Sequence, residues 1–196
     1  MTRYDYRISS GATTSHGTGT LTNAGASTTV SGNGTAFLTQ LHIGDIIICS
    51  GQTLCVASIA DDTTLTLVTA TVGSFNLAPF DFDVLVNVEA LSTGATAPRS
   101  LHRAWEETRD TGDGLARGLG RPACTWNWGF ISRAQRDALR IYCTGKSARV
   151  YIRTRANDST DGYVTYQAAM MWPDNEDRQT GRRLNFTLEF RDMVKL

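Results

Sequence analysis

This 196-residue chain has little of what most enzymes need. Its three histidines, His16, His42 and His102, are widely separated, and none sits with a serine or cysteine in a nucleophile setting. The four cysteines, Cys49, Cys55, Cys124 and Cys143, form no CxxC pair and have no histidine nearby. That spacing argues against zinc and for small buried side chains in a reducing compartment. A Cys49–Cys55 bridge is disfavoured as well, because a tight turn at Gly51-Gln52 offsets the two thiols by one register position. No apolar run approaches the roughly 20 residues that cross a bilayer. MTRYDYRISS lacks the apolar core of a secretory signal, so neither a membrane anchor nor export is expected. The glycosylation triplets at Asn33 and Asn185 then carry no meaning. GTGT and GNGT lack the Lys-Ser/Thr that completes a phosphate cradle. Net charge is zero, which gives the whole chain no electrostatic footprint for nucleic acid or membrane. No cofactor, no metal and no catalytic centre are expected.

What charge there is lies unevenly. Residues 1–80 contain two basic residues, Arg3 and Arg7, of the nineteen in the chain. Thr, Ser and Gly fill 33 of those 80 positions, and the composition turns to Arg, Asp, Trp and Tyr after Pro79. The shift divides the chain into a small module at 1–79 and a second domain at 80–196. Strand signals in the module fall near Thr18–Thr22, Thr28–Ser31, Asp45–Ser50, Thr53–Ile59 and Thr64–Thr69. Ser50-Gly51-Gln52 and Asp61-Asp62 supply turns. One helical turn over 36–41 should tuck Phe37, Leu38 and Leu41 into the mouth of a small SH3-like or related barrel.

In the second part, Val84/Val86/Val88 read as a strand over 83–91. Residues 92–120 are polar, Gly-containing and too long for an ordinary loop, so they are expected to form an extended arm. Strand character returns over 121–130. Ser132 and Gln135 then make a capping box for a helix over 133–143, with Gly145 past its end. Ala134, Ala138, Ile141 and Tyr142 share one face of that helix; Arg133, Arg136, Asp137 and Arg140 share the other. Three strands follow, with inward positions Val150/Ile152/Thr154, Val164/Tyr166/Ala168/Met170 and Leu184/Phe186/Leu188/Phe190. The last is the cleanest period-two signal in the chain. The fold class expected is mainly β: the small barrel or sandwich followed by a β-sandwich with one flanking α-helix.

Within the module the wording runs GTGT, then STTVSGNGTAF, then IGDIII, then SIADDTTLTL. It resembles small β-modules that recur in tailed-bacteriophage structural proteins. The second domain, with its order of strand, arm, strand, helix and three strands, resembles phage tail-tube subunits and the distal tail proteins that cap the tube. TWNWGFIS before the helix, VYIRT after it and the terminal LNFTLEF carry that likeness. The resemblance implies a non-enzymatic virion protein, assembled in the host cytoplasm, that forms a ring in the tail as a distal or minor component between tube and tip. Six copies per ring, contacts with neighbouring tail proteins and a lumen that passes DNA without specific binding would follow. A major tail-tube subunit or a head–tail connector ring is the alternative within this class.

The arm of one subunit would lie across the next, and arginine-rich strand faces would meet acidic groups there. The candidate interface residues are Arg103, Trp105, Glu106, Arg109, Arg149, Arg153, Arg155 and Arg191. Trp126 and Trp128 point to one side of their strand, so they could instead form a sugar-stacking platform in a carbohydrate- or receptor-binding module. Glu106, Glu107, Asp110 and Asp113 could be read as a glycosidase-like carboxylate set, but nothing in a Gly-rich arm fixes the required spacing. Asn157–Gly162 resembles the start of a calcium loop whose twelfth position, Ala168, lacks the necessary carboxylate.

Overall fold

The computed structural model describes residues 4–11, 14–113, 115–156, 162–179 and 182–196. It is mainly β, as expected, and divides into two compact units. The larger unit contains Met1–Ser10 and Val86–Lys195; the smaller contains Gly11–Leu85. The smaller unit is therefore inserted after the first strand of the larger one. This corrects the division at 79/80 at both ends. β1 (Arg7–Ser9) belongs to the larger sheet, where Ile8 is fully buried, whereas residues 80–85 remain in the smaller unit. A three-residue strand has too little composition of its own to betray its allegiance.

The smaller unit contains β2 (Ser15–His16), β3 (Thr20–Asn23), β4 (Thr29–Asn33), α1 (Phe37–Gln40), β5 (Ile46–Cys49), β6 (Gln52–Asp61), β7 (Thr64–Leu67), β8 (Phe75–Ala78) and β9 (Phe80–Asp83). Its ladder runs β2-β9-β5-β6-β7-β4-β3-β8. Because β2 runs on into β3, and β8 into β9 through Pro79, the two ends of that ladder meet and the sheet closes into a barrel. Closure pairs β3, β4, β5, β6, β7 and β9 on both sides and leaves only the short β2 and β8 with one partner each among the described residues. Leu21, Phe37, Ile47, Val56 and Leu65 fill the core.

Ser50 and Gly51 both take positive φ, 49° and 74°, which gives the two-residue hairpin connection its twist. Cys49 thus faces Gln52, Cys55 faces Ile46, and both cysteines are free thiols. Leu38 is exposed, against expectation, since a single helical turn can bury only Phe37 while Leu41 enters from beyond its end. The Gly-Asp pair of IGDIII has a structural reason. Asp45 is fully buried, and its carboxylate accepts the backbone N–H groups of His42 at 2.7 Å and Leu85 at 3.0 Å.

The chain re-enters the larger unit at β10 (Val86–Asn87), followed by a 3-10 turn over Val88–Ala90 that Asn87 caps. The continuous strand expected over 83–91 is thus two short pieces and a turn, with Leu85 and Val88 buried and Val86 exposed. Then come β11 (Arg99–Arg103), β12 (Glu107–Asp110), β13 (Ala116–Leu119), β14 (Ala123–Ser132), α2 (Arg133–Arg140), β15 (Ser147–Arg155), β16 (Tyr163–Met171), β17 (Asp177–Gln179) and β18 (Arg182–Lys195). The main sheet has the order β10-β1-β15-β16-β18-β14-β11, with β17 pairing the start of β18. It is strongly curled, since the hydroxyl of Ser100 on β11 meets that of Thr154 on β15 at 3.1 Å.

Trp126, Ile152, Met170, Leu188 and Phe190 fill the enclosed core. Ser132 caps α2 by accepting the Gln135 N–H at 3.1 Å. The Gln135 side chain does not complete the box. Instead it is buried and exchanges two hydrogen bonds with the Thr96 backbone, at 2.8 and 3.2 Å. The buried face is accordingly Gln135 and Leu139, while Ala134 and Ile141 are exposed. The expected apolar face was one residue out of phase because a buried glutamine does not register as apolar.

Candidate interaction face of the larger unit

The arm is shorter than 92–120. Residues 99–103 form β11, a strand of the main sheet, and only the hairpin of β12 and β13 forms a separate two-stranded ladder. All four residues of β12 are exposed, as are Ala116 and Arg117 of β13. Trp105 anchors the hairpin's base. Its indole lies on Gly118, where a β-carbon would overlap the ring, and the side chain is still 55% exposed. Within the hairpin Arg109 stands opposite Arg117, and Glu107 relieves the like-charge pair by accepting from Arg109 at 3.2 Å. At the tip the Asp113 carboxylate accepts from the Thr111 hydroxyl and the Leu115 N–H, which holds its pKa below the usual carboxylate range. Leu115 itself is 66% exposed.

Beside this base, β14, β15, β16 and β18 carry a charged outer face. Arg149 and Arg191 both stand opposite Ala169, on its two sides. Arg103 (3.4 Å) and Arg191 (2.8 Å) share Glu189, while Arg121 and Arg149, each at 3.1 Å, share Asp192. Asp192 reaches its partners through a bulge. Its φ is +51°, and β18 spends one residue more than β16 between adjacent pairs there. Aspartate tolerates this left-handed conformation better than most residues, and a bulge re-aims the side chain it carries. Exposed ion pairs of this kind add little stability, about 0–1 kcal/mol each. With Lys195 and Glu106 the patch holds five cations against three carboxylates.

A cleft of about 620 Å³ opens next to the same face, lined chiefly by His102, Trp105, Arg121, Tyr166, Met193 and Lys195. The His102 and Tyr166 rings lie 5.9 Å apart in it. Sequence reasoning missed this cleft, because its residues come from three strands and two loops with no common spacing. Glu189 and Asp192 were missed as the acceptors of the arginines. The period-two signal of β18 marks one of them as outward-facing, but not which cations it meets.

Of the interface candidates, Arg103, Trp105, Glu106, Arg109, Arg149 and Arg191 are exposed and fall on the arm or on this face. Arg155 is exposed at the end of β15. Arg153 is a correction. It is buried, and its guanidinium donates to Asp5 at 2.5 Å, where the same carboxylate also takes Arg7, so it serves its own subunit.

The sugar platform is a second correction. Trp126 is fully buried and Trp128 nearly so, with indole N–H groups satisfied by the Thr154 hydroxyl and the Thr96 carbonyl, each at 2.9 Å. Neither ring face is open to a sugar. Glu106, Glu107, Asp110 and Asp113 are spread along the exposed arm. Cys124 is buried against the Ser100 and Thr154 hydroxyls, and burial pushes its thiol pKa up. Among the described residues no cluster of His, Cys, Asp and Glu is placed to hold a metal, and no helix is long and apolar enough to cross a membrane. Most of the calcium-loop candidate, 157–161, lies outside the described residues. Comparison with family models, with curated proteins and with solved structures found no match to this chain, so its face must be read from its own geometry.

Proposed function

We propose that this chain is a non-enzymatic structural subunit of a tailed-phage virion, forming a ring in the tail as a distal or minor component between tube and tip. The observation that carries the reading is the exposed β12–β13 hairpin beside the sheet-ending strand β11. A lone two-stranded hairpin is marginal in water, and an open strand edge invites pairing. Both are natural in a subunit completed by its neighbours. A head-to-tail contact that closes on itself gives a ring. The shared arginine–carboxylate face fits the same reading, as a surface that selects a partner's register more than it adds affinity. The phage assignment is supported by the wording GTGT…STTVSGNGTAF…IGDIII in the inserted barrel and by the strand–helix–strand order that follows it.

Negative-stain images of the purified protein test this directly: closed rings of about six subunits are expected. A protein that remains a compact monomer at every concentration, and does not join a phage tail in an infected cell, would sink the reading. Copy number in the virion separates the two ring roles, since a tube subunit is present in many stacked rings and a distal component in one.

A further inference from the structure

The arm tip and the cleft are complementary in shape and charge. The tip presents Asp110, Asp113 and the exposed Leu115, and carries no basic residue. The cleft has an apolar floor from Trp105, Tyr166 and Met193, and the exposed cations Arg121 and Lys195 at its margin. Arg121 shares Asp192 with Arg149, so the margin still carries a surplus of positive charge. A leucine at the end of an arm whose first strand is exposed throughout keeps most of its surface uncovered by its own chain.

We infer that the arm tip of one copy seats Leu115 in this cleft of the next copy, with Asp110 and Asp113 against Arg121 and Lys195. The inference rests on the ring reading and names the contact that closes it. It makes the interface heterologous, because tip and cleft are different surfaces, and such a contact can propagate around a ring.

The test uses two full-length variants, Leu115→Cys and Ala104→Cys, mixed and mildly oxidised. Ala104 is exposed and lines the cleft, and the four native cysteines are buried. A covalent pair containing one chain of each kind is expected. A control that replaces Ala104→Cys with Thr69→Cys, exposed in the inserted barrel, should give far less. Leu115→Ser, at an exposed position the fold does not need, should weaken self-association by about tenfold or more. Rings that form normally while the 115/104 pair cross-links no better than the control would overturn this inference and leave the ring reading intact. Absence of any self-association would overturn this inference, and the ring reading with it if the chain also fails to join a phage tail in an infected cell.

Discussion

Single buried polar groups add to the stability that the apolar core gives each unit. In the barrel, the Asp45 carboxylate accepts the backbone N–H groups of His42, three residues before it, and Leu85, 40 residues after it, and burial makes both bonds strong. Asp45→Ala should therefore lower the barrel's stability by about 2–4 kcal/mol, read as an earlier urea midpoint. An unchanged midpoint would mean that water replaces the carboxylate at no cost. In the larger unit one such group is Tyr6, packed edge-on against Trp126 at 5.7 Å and Tyr163 at 5.4 Å. Burial, reinforced by the nearby ionisable Tyr163 and Cys124, pushes its pKa up to about 12. Above pH 10 the unfolded chain loses this proton while the folded one keeps it. The unfolded state then binds fewer protons, and stability falls as pH rises from 10 to 12. Melting curves across that window should decline less steeply for Tyr6→Phe than for the native chain. Parallel declines would remove Tyr6 as the cause.

At the scale of elements, the proposed role requires the arm to serve assembly and not folding. Replacing 106–119 with a short Gly-Ser link should leave the melting temperature of the larger unit within a few degrees, since every residue of β12 is exposed and the arm contributes no residue to the buried core. Self-association in sedimentation should disappear. A collapse of the fold would instead make the hairpin part of the core. How far such elements can be read from sequence depends on which side their apolar residues face. The strands β15, β16 and β18 alternate apolar-in and polar-out, so they were visible; so was α2, from its Ser132 cap. β11 inverts the code, with Leu101 63% exposed while Ser100 and His102 turn inward, and it was absorbed into the arm. β1 was hidden for another reason: its pairing with β15 spans more than 140 residues, beyond any local pattern. The arginine-rich character of the outer face was legible from alternation alone. Its carboxylate partners and the cleft were not, because both depend on which strands the curled sheet sets side by side.

For the whole molecule, the contrast between the units is the physical basis of the proposed role. The inserted barrel closes its ladder on itself. The larger unit ends its sheet at β11, with an exposed hairpin and a surface of shared ion pairs beside it. A surface charged in this way should assemble more readily at low ionic strength, because exposed pairs lose their reach within about 10 Å at 0.1 M salt. Mass photometry of the untagged protein over a range of concentrations and salt is the most direct measure. A discrete species of about six chain masses is expected, growing with concentration and receding as salt is raised. A single monomer peak, unmoved by either variable, would contradict the claim that this fold is completed by copies of itself.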